Sequence, residues 1–168
     1  QHRYGWAGAL IGLGAAVKLF PLFLLGAIAV LAIRTARYAP LLISAAGAVA
    51  AWLVVNLPMM LLNPQAWGVF YEFSGDRAPG WSSIWHAYGT ATGDKITGEQ
   101  LSGYAFCAFL ALCVAIAVIG LTTRHRPRLA QLAFLIVAAF ILVNKVYSPQ
   151  FVLWLIPLLV LALPNWRD

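Results

Sequence analysis

The sequence predicts an all-α protein, a polytopic transmembrane helical bundle with short or re-entrant helical hairpins. Three observations carry that expectation. Of 168 residues, 62% are hydrophobic and only 10% are charged, where soluble globular domains carry about 25% charged residues; the mean hydropathy is +0.84. Two runs, residues 39–62 and 103–121, contain no charge over 24 and 19 residues, enough to cross about 30 Å of hydrocarbon as helices. Seven of the eleven basic residues, Arg3, Arg34, Arg37, Arg124, Arg126, Arg128 and Arg167, lie in short tracts that flank apolar runs. Basic residues so placed set the orientation of membrane helices, so the net charge of +6 reads as topology rather than as a nucleic-acid surface.

Along the chain, the first apolar stretch is interrupted. Residues 5–17 would make a helix of about 20 Å and residues 19–33 one of about 22 Å, with Lys18 between them and Pro21 just beyond, in VKLFPLFLL. Either residues 5–33 form one long helix kinked at Pro21, or they form a hairpin of two short helices with Lys18 at its tip. Arginines at both ends, Arg3 and Arg34/Arg37, favour the hairpin. Residues 39–62 follow, with Pro40 in a first helical turn and Pro58 expected to kink or end the helix. Residues 63–102 are the one sizeable polar region and hold Glu72, Asp76, Asp94 and Glu99, four of the five acids. With arginines before the first span and after the second, this region is expected on the outer face as an external loop of a single transmembrane domain, residues 1–168. In the second span Cys107 and Cys113 are six apart, about 120° apart around a helix, and read as apolar fillers. The hairpin arrangement, though not a sequence repeat, recurs in the last stretch: residues 129–143, then NKVYSPQFVLWL from residue 144, with Arg124/Arg126/Arg128 and Arg167 at the two ends. The chain opens on Gln1 and a basic tract without a signal peptide, and is expected to be the C-terminal portion of a longer protein.

The two lysines, Lys18 and Lys145, carry the strongest chemical signal. A lysine at the bilayer centre costs about 2.5–3.5 kcal/mol on insertion scales and commonly marks a ligand path, and broken backbone at that depth is tolerated where it lines protein or water. An amine beside freed backbone N–H groups suits a phosphate; the alternative is that each lysine snorkels and anchors a helix end. Tyr147, Ser148 and Arg77 join them as candidate phosphate contacts. In the polar region, VFYEFSGDRAPGWSSIWHAYG (residues 69–89) mixes aromatic rings with polar groups. Trp81, Ser83 and Trp85, together with Gln150 in the last stretch, are candidate sugar and acceptor contacts. Trp81, Trp85 and Tyr88 also fit helical spacing, as in an amphipathic helix lying on a membrane. His86 is a candidate acid, base or phosphate donor, and also reads as one more member of an aromatic belt. Glu72 and Asp76 are candidate general bases, or simply a solvated pair of acids. Acids, His and Cys do not cluster at metal-ligand spacing, and no metal or cofactor is expected.

GLGAAVKLFPLFLL, PGWSSIWHAY and NKVYSPQFVLWLIPLL together resemble glycosyltransferase family 87, a GT-C-type membrane family that includes polyprenol-phosphate-mannose-dependent α-mannosyltransferases. The resemblance implies an inverting transfer of a hexose, such as mannose, from a polyprenyl-phosphate donor to a glycolipid or glycan acceptor. It places the reaction on the outer face of the inner or plasma membrane, with a catalytic base in an external loop upstream of Gln1. One departure stands out, since Gly80-Trp81 occupies the place of an Asn-Gln pair in the loop motif. Two other classes fit part of the sequence: a lipid or solute transporter or flippase, which would also use broken helices, and a non-catalytic membrane subunit. No carboxylate lies within a span to couple ions, and a scaffold leaves the two lysines without a purpose.

Overall fold

The computed structural model describes residues 3–94 and 96–163; Arg167, expected to flank the last stretch, lies outside them. The described residues form eight α-helices and two 3-10 turns, with no strand among them.

Helix α1 (Tyr4–Val17) stops at Lys18, whose backbone is extended. A 3-10 turn, Phe20–Phe23, follows with Pro21 at its start, where the missing N–H leaves no bond unmade. Helix α2 (Leu24–Thr35) runs directly on and closes on Ala36, which is left-handed at φ 52°. The Arg37 N–H then reaches back to the Ala32 carbonyl at 3.0 Å, the pattern that satisfies open carbonyls at a helix end. Helix α3 (Ala39–Leu62) begins with Pro40 in its first turn. Of the two outcomes expected of Pro58, a kink or an end, the helix does not end there but continues four residues further. Proline removes one N–H from the ladder, and the turn beyond it still closes, with the Asn63 N–H on the Met59 carbonyl at 2.9 Å.

The packing of α1 on α3 fixes the direction of everything between. The Ser44 hydroxyl donates to the Tyr4 carbonyl at 3.2 Å. A Cβ on Gly8 would collide with the backbone of Ser44, one on Gly12 with the backbone of Ala48, and one on Gly47 with the carbonyl of Gly5. Contacts climb both helices together, so α1 and α3 are parallel and α2 must return between them. Residues 5–33 are therefore a hairpin with Lys18 at its tip, the second of the two arrangements the sequence allows. Gly14 leaves the room that the Pro21 ring fills there. The seam itself is a small-residue contact of the kind that lets helix backbones approach closely in apolar surroundings.

The last stretch folds the same way. Helix α7 (Leu129–Val143) and helix α8 (Val152–Ala162) are joined by residues 144–148 and the 3-10 turn Pro149–Phe151. The Arg128 guanidinium, at the start of α7, donates to the carbonyls of Ala162 and Leu163 at the end of α8, which makes the pair antiparallel and satisfies open carbonyls at the α8 terminus. Helix α6 (Gly98–Thr122) is opened by a capping box between Thr97 and Gln100. It starts five residues before the charge-free run, because Glu99 and Gln100 belong to its first turn. A core of Ala27 and Val30 from α2, Ile116 from α6, and Leu132, Ala133, Ile136 and Ala139 from α7 locks the two hairpins to α6. Phe23 extends it against Phe109 and Phe140, with ring centroids 4.7 and 4.8 Å away.

The polar region contains two helices, α4 (Pro64–Asp76) and α5 (Ile84–Thr92). Asn63 caps α4 by accepting the Ala66 N–H, and α5 ends on Gly93 with φ 79°. Helices α3 and α6 are long and apolar enough to cross a membrane by length and composition; α1, α2, α7 and α8 are apolar but shorter. Leu42, Val54 and Leu61 on α3, with Phe106, Leu110 and Val118 on α6, are exposed. That is more uncovered apolar surface than water-facing helices ordinarily show, and it fits association with a membrane.

Replacing Gly12 by Leu drives a side chain into the Ala48 backbone. The expected result is a fall of at least about 5 °C in the unfolding midpoint of the detergent-solubilised chain. Leu10→Ala, on the exposed face of the same helix, serves as the comparison and moves it little.

Candidate functional site

Both lysines stand where helices break, at the same end of the molecule. Lys18 follows the last residue of α1. Its ammonium lies 4.8 Å from the Trp154 ring centre and 5.5 Å from that of Phe151, within cation–π range. Phe20 stacks on Trp154 at 4.1 Å and 8° between planes, and Phe151 stacks on Trp154 at 4.4 Å. Three rings from the tips of the two hairpins thus make one apolar platform beside a single amine. Among the described residues the Lys18 ammonium has no carboxylate or hydrogen-bond acceptor for a partner.

Lys145 is differently placed. Its ammonium donates to the Gly75 carbonyl at 2.8 Å and to the Ser102 hydroxyl at 2.7 Å. That hydroxyl lies in turn within 2.9 Å of the Gly98 carbonyl and 3.0 Å of the Gly75 carbonyl. Gly98 is pressed against the Asp76 backbone so tightly that no Cβ would fit. The amine therefore ties the end of α4 to the start of α6. Residues 144–148 lie outside the helices, and partial burial there lowers the Lys145 ammonium from its ordinary value; the Asp76 carboxylate opposes the shift and the Arg77 guanidinium adds to it. One of the three ammonium donors remains uncommitted.

The segment before α5 is fastened to the same break. The Gly80 N–H donates to the Lys145 carbonyl at 2.8 Å, and the Trp85 indole N–H donates to the Val143 carbonyl at 2.7 Å. Ser83 is buried and is the N-cap of α5: its hydroxyl donates to the Gly80 carbonyl and accepts the His86 N–H. Both uses are structural, so of the expected acceptor contacts it is the least available. Trp81 lies before α5 rather than on it, which separates it from the helical spacing of Trp85 and Tyr88. It is 88% exposed, and its ring is parallel to the His86 ring within 6°, at 6.1 Å. His86 lines a hollow of about 320 Å³ with Pro79, Trp85, Thr90 and Asp94.

Other expected residues are looser. Glu72 and Asp76 are both exposed on α4. Arg77 lies 5.7 Å from the Phe73 ring centre. Tyr147 and Ser148 are half-buried in the break, with the Ser148 carbonyl accepting the Phe151 N–H at 2.8 Å, and Gln150 is exposed. The structure thus brings Lys145, Ser102, Gly75 and Gly80 together, Trp81 with His86, and Lys18 with Phe20, Phe151 and Trp154. Ser102, Gly75 and Asp94 carry no sequence signal for these places; Phe151 and Trp154 do, as the aromatic positions of the second lysine stretch. No group of three His, Cys, Asp or Glu suited to a metal occurs among the described residues.

Fold and site define a helical protein of strongly apolar make-up with two cationic helix breaks, one of them fastened to a polar, aromatic region. Residues 1–149 match the family described as Glycosyltransferase family 87, and the chain belongs to that family of sugar-transferring enzymes. No curated protein and no solved structure matches it.

The hydrogen bonds of Lys145 predict coupling. In a double-mutant cycle of Lys145→Met and Ser102→Ala, the unfolding free energies should be non-additive by about 1 kcal/mol; additivity would mean that the bond contributes nothing to the joint between α4 and α6.

Proposed function

We propose that this glycosyltransferase moves a hexose, mannose in the first instance, from a polyprenyl-phosphate donor to a glycolipid or glycan acceptor. In this reading the helices span the inner or plasma membrane, and residues 63–102 stand on its outer face. The observation that carries it is the Lys18 ammonium, set on the rings of Trp154 and Phe151 without an anionic partner among the described residues.

The reaction needs charge stabilisation more than covalent chemistry. As the acceptor hydroxyl attacks the anomeric carbon, the bond from that carbon to the donor phosphate oxygen breaks. The bonding pair leaves with the phosphate, which gains a negative charge. Lys18, the spare donor of Lys145, and the neighbouring Tyr147, Ser148 and Arg77 are the groups this chain offers to that charge. Fixed cations aimed at developing charge are commonly the largest contribution to such catalysis. The phosphate is held by the hairpin tips in this reading, while the polyprenyl chain follows the apolar helices. The acceptor hydroxyl proton passes to a base. His86, in its hollow with Asp94 and Thr90, is the residue of this chain best placed to take part, ahead of the exposed Asp76 and Glu72. Trp85 borders that hollow and Trp81 lies parallel to the His86 ring as stacking surfaces for sugar rings, and Gln150 offers a further hydrogen-bonding group near the break.

The test is glycosyl transfer by the full chain in proteoliposomes with radiolabelled polyprenyl-phosphate-mannose. Lys18→Ala and Lys145→Ala are each expected to lower turnover by at least about tenfold at unchanged protein level, and His86→Ala to lower it as well. Wild-type turnover in both lysine variants would remove the phosphate site. A wild-type protein that moves the intact donor across the bilayer without consuming it would instead be a flippase.

A further inference from the structure

At the end of the molecule opposite the lysines, the two arms of the first hairpin part. Helix α1 packs on α3, α2 packs on α7, α3 and α6, and the space left between α1 and α2 is a cleft of about 610 Å³. Its walls are mainly apolar or small: Ala7 from α1, Ile28, Leu31 and Ala32 from α2, Pro40 from α3 and Leu129 from α7. Its rim is not. Arg3 at the start of α1, Arg37 between α2 and α3, and Arg126 between α6 and α7 border it, and all three are exposed. None of the three guanidiniums has an ion-pair or hydrogen-bond partner among the described residues. The described acids, Glu72, Asp76, Asp94 and Glu99, all belong to the polar region at the other end.

The contrast with the neighbouring arginines is informative. Arg34 donates to the carbonyls of Gly120 and Thr123, and Arg128 donates to those of Ala162 and Leu163. Those two side chains close helix ends; the side chains of the three on the rim close nothing. Three like charges gathered around one opening repel one another unless an anion lies between them. An apolar interior beneath a cationic rim fits an amphipathic anion, and the volume lies in the range of small-molecule sites.

We propose that this cleft holds an anionic phospholipid, its phosphate headgroup among Arg3, Arg37 and Arg126 and the start of an acyl chain between α1 and α2. A basic pocket between helices on a membrane face is the general form of such a site. The inference rests on the membrane placement of the preceding reading, but not on the choice of sugar donor. The bound lipid would fill the wedge between the arms and hold α2 against α6 and α7, away from the reacting end.

The full chain, purified in detergent, is exposed to equal amounts of phosphatidylglycerol and phosphatidylcholine, and the retained lipid is counted by native mass spectrometry. Thermal unfolding is followed in parallel with each lipid and with inorganic phosphate alone. Wild-type protein is expected to retain phosphatidylglycerol at least about fivefold over phosphatidylcholine and to be stabilised by it alone. Arg37→Gln with Arg126→Gln should bring that preference below about twofold, while Arg124→Gln, outside the cleft, leaves it in place. Ala7→Trp, which fills the cleft and keeps every arginine, should also abolish retention, and serves if the double variant fails to fold. Equal retention of both lipids, equal stabilisation by phosphate alone, or an equal loss in Arg124→Gln would overturn the proposal. A chain that stays monodisperse without detergent would overturn the membrane placement too, whereas an extracted chain without lipid preference overturns only this site.

Discussion

The structure depends on one constraint: helices that break inside an apolar protein must find partners for the groups the break sets free. Each hairpin ends in such a break, and the two are answered differently. At residues 144–148 the answer comes from the polar region: Gly80 gives a backbone N–H, Trp85 an indole N–H, and the Gly75 carbonyl and Ser102 hydroxyl take up the Lys145 ammonium. At Lys18 the answer is mostly within the chain turn itself, since the Lys18 N–H bonds back to the Gly14 carbonyl at 2.8 Å and the side chain goes to aromatic faces. One lysine is thereby a structural tie with some capacity left over, and the other is a charge held ready on a hydrophobic shelf.

That difference orders the rest of the site. Because Lys145 fastens α4 to α6 and its carbonyl fastens the segment before α5, the polar region is seated on the second hairpin rather than swinging above it. The Ser83 cap then sets the start of α5, which turns His86 into the hollow with Asp94. The rings of Phe151 and Trp154 reach from the second hairpin to the first, so both cationic positions border one strip of chain, residues 145–154.

The sequence made the breaks legible because a lysine and a proline within an apolar run conflict with an uninterrupted helix on two counts, charge and missing N–H. The first span was legible for the opposite reason: nothing in residues 39–62 except Pro58 resists a helix, and a single proline removes too little of the ladder to end it. Partners were not legible. Nothing local to Lys145 points to Gly75 or Ser102, which are 70 and 43 residues away, and nothing near His86 singles out Asp94 across the Gly93 turn. Trp81 shows the limit of spacing arguments: its interval to Trp85 and Tyr88 is helical, yet Ser83 caps the helix after it. The glycines of α1 were in plain view as Gly8-Ala-Leu-Ile-Gly12, and only the facing Ser44, Gly47 and Ala48 give that spacing its meaning.

The parallel seam between α1 and α3 also bears on how the chain is made. Its two sides are about a full helix and a turn apart in sequence, with α2 between them and almost no part in it. A ribosome therefore releases α1 before its mate exists. Until α3 follows, the glycine face of α1 has no partner in the chain. The natural folding unit is thus the trio α1–α2–α3 rather than the first hairpin. A pause in synthesis after Arg37 would strand a helix whose binding surface is complete but whose counterpart has not yet been translated.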